Sequence, residues 1–69
     1  MDPNANLQEQ ERTIIARDAV KFVDPFGSEH LAYRAALRQL RAELNEWLAK
    51  GGFEPEWDKY PLASRYFGE

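Results

Sequence analysis

The chain has no cysteine and one histidine. Disulfide stapling is therefore excluded, and a structural zinc site of Cys/His type lacks the ligands to form. No apolar run approaches the ~20 residues needed to cross a bilayer. The opening Met1-Asp2-Pro3-Asn4 has neither a basic nor an apolar stretch, so no signal peptide is expected. A phosphate-binding loop, a dinucleotide fingerprint, a nucleophile elbow and a metal-ligand pair are all missing. A chain of 69 residues also has little room for a catalytic pocket of ~300 Å³ or more. No enzymatic activity, cofactor or metal is expected.

A single domain this short buries only about 60% of the surface its unfolded form exposes. Without a disulfide or a metal, it needs close helix packing or a partner. Aromatic residues make up 13% of the chain, which argues for a real core and against disorder. The net charge is −3, which does not resemble a basic nucleic-acid binder. The charge is uneven: residues 30–50 carry four basic and two acidic side chains, while the segments on either side are acidic. The absence of cysteine fits a reducing compartment.

The apolar residues recur at helical spacing. Asp2-Pro3 offers an N-cap followed by proline at the first helical position. Asn6 with Glu9 offers a competing capping box, and the favoured first helix is 7–23, behind a cap segment 1–6. Its apolar residues gather in the second half, where Ile15, Ala19 and Phe22 share a face. Asp24-Pro25-Phe26-Gly27 breaks the helix, and Ser28 is placed to cap a second one over 28–50. In that helix His30, Tyr33, Leu37, Leu40, Leu44 and Trp47 alternate at three and four residues, with Leu48 on the same seam. Ala32, Ala35, Ala42 and Ala49 form the back. Gly51-Gly52 permits a left-handed exit. Residues 51–69 then form an arm in which Pro55 and Pro61 forbid one long helix but suit short turns at 55–59 and 61–67.

The expected fold is all-α: an antiparallel two-helix hairpin with an aromatic arm lying across it. Two helices leave the seam open on one side. The arm closes it, or a second copy does, making a four-helix bundle; pairing of two copies is favoured.

Arg34, Arg38 and Arg41 recur at four and three residues beside the seam. Guanidinium forks suit phosphate or an acidic protein surface, so these three are the candidate anion-binding residues. A plainer reading pairs them with Glu9, Glu11 or Asp18 of the first helix, or leaves them solvated. Tyr33, Leu40, Trp47, Trp57, Tyr60 and Tyr66 are the candidate partner-binding residues, because large aromatics dominate interface energetics. His30 has no catalytic companion at motif spacing. Glu54, Glu56 and Asp58 surround Trp57, but without a glycine-turned loop they read as a solvated cluster.

Two stretches carry a resemblance. Asp2-Pro3-Asn4-Ala5-Asn6-Leu7 and Trp47-Leu48-Ala49-Lys50-Gly51-Gly52-Phe53-Glu54-Pro55-Glu56-Trp57 resemble the opening and ending phrases of small uncharacterised proteins of actinobacterial phages and their hosts. The likeness covers the two ends of the chain, and this chain runs on through Asp58–Glu69, past the point where many such proteins stop. The resemblance implies a phage or actinobacterial origin and a cytoplasmic setting, and it implies no activity. The function expected is a non-enzymatic interaction module that self-associates or docks on a larger, host protein. The alternatives are a helix-turn-helix-like nucleic-acid binder using the arginine stripe, and an acidic inhibitor or DNA mimic. No membrane association is expected.

Overall fold

Two 21-residue helices, α1 (Pro3–Val23) and α2 (Glu29–Ala49), lie against one another as a hairpin. A 3₁₀ turn at Trp57–Lys59 and a short α3 (Pro61–Phe67) come after them. The computed structural model describes residues 1–24 and 26–68, and no strand occurs among them. Pro25, assigned to the helix break, and Glu69, assigned to the arm, lie outside the described residues.

α1 starts at Pro3 rather than Leu7. Asp2 is extended (φ −104°, ψ 109°), and its side chain accepts from the Asn4 N–H at 2.9 Å. Asn6 is therefore inside the helix and caps nothing. Its buried amide instead donates to the Leu40 carbonyl of α2 at 3.0 Å. The expected cap segment 1–6 is thus mostly the first turn of α1. At α2, Ser28 occupies the cap position, but its side chain makes no cap hydrogen bond and its backbone is already helical.

The core runs through Leu7, Ile14, Leu37, Leu44 and Ala63, all buried. Leu7 and Ile14 are seven residues apart and so share a face of α1, as Leu37 and Leu44 do on α2. Pro3, Asn6, Gln10 and Thr13 complete the buried face of α1, and each of the three polar ones makes a hydrogen bond. Gln10 Nε2 donates to Asn6 Oδ1 at 2.7 Å, and Thr13 Oγ1 donates to the Glu9 carbonyl at 2.7 Å. The half of α1 that reads as polar is therefore the half in the core.

The apolar face expected from Ile15, Ala19 and Phe22 stays in solvent. Ile15 follows Ile14 by about 100° around the helix, so only one of the two faces can meet α2. The face carrying Leu7 and Ile14 meets it.

α2 ends in a tucked corner. Gly51 adopts φ +87°, and the Gly52 N–H donates to the Trp47 carbonyl at 3.0 Å. Phe53 turns back so that its ring meets the Trp47 indole edge-on at 5.6 Å, and its carbonyl accepts the indole N–H at 3.0 Å. A Cβ on Gly52 would overlap the Trp47 ring. Gly51→Ala should lower stability by about 1 kcal/mol through its positive φ. Gly52→Ala should cost more, about 1–3 kcal/mol, because the indole must shift. Urea unfolding followed by tryptophan fluorescence checks both values, and equal costs would contradict the corner geometry.

Candidate functional site

The arm positions everything else. Carboxylate Glu11 of α1 accepts from the Ala63 N–H at 2.7 Å and from the Leu62 N–H at 3.4 Å, at the first turn of α3. Those N–H groups have no partner within their own helix, so a carboxylate there acts as a cap supplied by another element. Asn4 Oδ1 accepts the Glu56 N–H at 2.6 Å, tying the arm to α1 a second time. Ser64 Oγ donates to the Trp57 carbonyl at 2.7 Å, and the Trp57 and Phe67 rings lie 5.4 Å apart. Ala63 thereby reaches the core.

The candidate partner-binding aromatics are largely engaged by this packing. Trp47, Trp57, Tyr60 and Tyr66 are half-buried and lie against the core, while Tyr33 and Leu40 are half-buried on α2. Large apolar side chains are bare elsewhere, at the hairpin turn: Phe22 is 90% exposed, Val23 82% and Phe26 98%. Ile15, Leu31, Phe53 and Met1 are also more than half exposed. Ala19, Val20 and Val23 also line a cavity of about 440 Å³ at this end, edged by Asp24 and Glu29. The sequence signals the α1 part of this patch, as the shared face of Ile15, Ala19 and Phe22.

The arginine stripe is divided. Arg41 is half-buried, its guanidinium 5.2 Å from the centre of the Tyr66 ring, and it donates to the Phe67 carbonyl at 3.4 Å. It fastens α3 to α2. Arg34 and Arg38 instead line a cavity of about 480 Å³ between the three helices, together with Arg17 of α1 and Arg65 of α3. Among the described residues, Arg34 and Arg38 make no ion pair with α1 carboxylates, and both are exposed, as the solvated alternative has them. Glu11 is spent on α3, and Asp18 pairs with its neighbour Arg17 at 3.1 Å. Arg17 and Arg65 went unnoticed because each stands alone in its segment, and only the packing of α3 brings them to the stripe.

Other candidates form no site. Among the described residues no group of His, Asp and Glu is arranged to hold a metal ion. In the acidic cluster, Glu56 pairs with Lys59 at 2.6 Å, and that hydrogen bond and charge raise the Lys59 ammonium above its ordinary value. His30 is half-buried, with its Nδ1 lacking a partner among the described residues. Among the described residues no helix is long and apolar enough to cross a membrane.

No protein-family model, curated protein or solved structure matches the chain.

Glu11→Ala should loosen α3 while leaving the hairpin. The expected loss is about 1–2 kcal/mol, the scale of a charge-assisted cap. The exposed neighbour Glu9→Ala should cost under about 0.5 kcal/mol. Thermal melts, with Trp57 emission reporting on the arm, separate the two; equal effects would show that Glu11 does not hold the arm.

Proposed function

We propose that this chain is a small, non-enzymatic interaction module that pairs with a second copy of itself through the hairpin turn. One observation carries the reading. The three most exposed large apolar side chains among the described residues, Phe22, Val23 and Phe26, all fall at the hairpin turn, between the end of α1 and the start of α2. Contiguous apolar patches on small proteins mark interaction surfaces. Burying each large side chain stabilises by about 1.5–3 kcal/mol, which matters in a chain whose core, among the described residues, is Leu7, Ile14, Leu37, Leu44 and Ala63.

The charges around the patch favour a second copy as the occupant. Lys21 in the last turn of α1 and the acidic Asp24 and Glu29 at the turn bring both signs of charge to this end of the molecule, so a second copy can meet it with unlike charges paired. Pairing is confined to the turn. The arm already covers the Leu37–Leu44 stretch, and a four-helix bundle along the whole seam would have to displace α3. The resemblance of the chain's two ends to small phage and actinobacterial proteins supports a cytoplasmic setting, and the acidic chain disfavours nucleic acid as the partner.

Sedimentation or light scattering across a concentration series tests the proposal. The expected result is a monomer–dimer equilibrium that Phe22→Glu and Phe26→Glu each weaken by about 2 kcal/mol or more, the range for a central interface aromatic. Far-UV dichroism should be unchanged in both. A concentration-independent monomer would overturn self-association, as would a dimer indifferent to both substitutions.

A further inference from the structure

The cavity between the three helices is lined by Arg17, Arg34, Arg38 and Arg65, four of the six arginines in the chain. Asp18 is the one carboxylate on its wall, and it is paired with Arg17. Among the described residues the side chains of Arg34, Arg38 and Arg65 are exposed and make no ion pair or hydrogen bond. Like charges gathered in a concavity repel one another and raise the local concentration of anions. This happens in a chain whose net charge is −3, so the basic character belongs to the site and not to the molecule as a whole.

The rest of the wall is apolar or aromatic: Ile14, Leu37, Leu62 and Tyr66. At about 480 Å³ the space exceeds what a bare inorganic ion fills and lies within the range of small-molecule sites. We propose that this cavity binds a small organic polyanion, one with two or more phosphate or carboxylate groups on a compact body. The guanidiniums of Arg34, Arg38 and Arg65 take the anionic groups in forked hydrogen bonds, and Tyr66 and Leu62 take the body. Arg34 and Arg38 are one turn apart on α2, while Arg65 approaches from α3, so the ligand bridges the arm to the hairpin. A phosphate backbone is a poorer occupant. The arginines face a shared hollow, and Arg41, which would extend the row along α2, is turned onto Tyr66. The site is separate from the hairpin turn and does not depend on pairing there.

Calorimetric titration of the intact protein at low ionic strength tests the assignment. Adenosine diphosphate serves as the phosphate probe, citrate as the carboxylate probe, and a short DNA duplex as the competitor class. At least one small probe should bind saturably at one per chain. Arg38→Gln and Arg65→Gln should each weaken it by about tenfold or more, and Arg12→Gln, outside the cavity, should leave it unchanged. Asp18→Asn should tighten it by releasing Arg17, an effect that a damaged fold would not produce. Saturation by citrate alone or by adenosine diphosphate alone identifies the anion class. The proposal is overturned if neither small probe saturates, if Arg12→Gln weakens binding as much as Arg38→Gln, or if the duplex binds more tightly than both probes.

Discussion

A two-helix hairpin buries one side of its seam and leaves the other side to the rest of the chain. In this protein the rest of the chain is an arm ending in a seven-residue helix, held to α1 by the Glu11 carboxylate at its first turn. The arm reaches only part of the hairpin. Where it lies, Leu7, Ile14, Leu37, Leu44 and Ala63 form the core. Where it stops, between Leu62 and Tyr66, the arginine cavity opens. Beyond it the hairpin turn presents bare phenylalanines. The molecule is 40 Å long and about 20 Å across, and Ile14 and Leu37 belong both to the core and to the wall of the cavity.

The polar groups of α1 are what allow the arm to dock. Asn6 and Gln10 are buried, which is tolerable only because Asn6 bridges to the Leu40 carbonyl and Gln10 to Asn6. Gln10 Oε1 has no partner among the described residues, a cost of about 1–3 kcal/mol for a buried acceptor. Asn4 and Glu11 project toward the arm and satisfy its N–H groups. Replacing this face with leucines would add apolar area and remove the hydrogen bonds that set the register of the arm.

Much of the architecture could be read from residue order. The seam of α2, the glycine pair at its end and the proline-punctuated arm each rest on local chemistry, and each lies close to where it was expected. The buried face of α1 could not be read. Leu7 with Ile14 and Ile15 with Phe22 are both seven-residue pairs on the same helix, and nothing local chooses between them. The choice is made by polar side chains that bond across to α2 and to the arm, contacts separated by 34 to 52 residues. The basic site was half visible for the same reason. Arg34 and Arg38 announce themselves by spacing, whereas Arg17 and Arg65 join them only through tertiary packing.

If the arm stabilises one half of the hairpin and a second copy covers the turn, the two halves must differ in how their protection depends on concentration. Amide hydrogen exchange at two protein concentrations tests this most directly. In dilute solution, protection should be high across Leu7–Ile14 and Leu37–Leu44 and low across Ala19–Val23. At high concentration, protection should rise at Ala19–Val23 and around Leu31, with little change elsewhere. Uniform protection along both helices in the dilute monomer would contradict the account, because the turn would then need no second copy to order it.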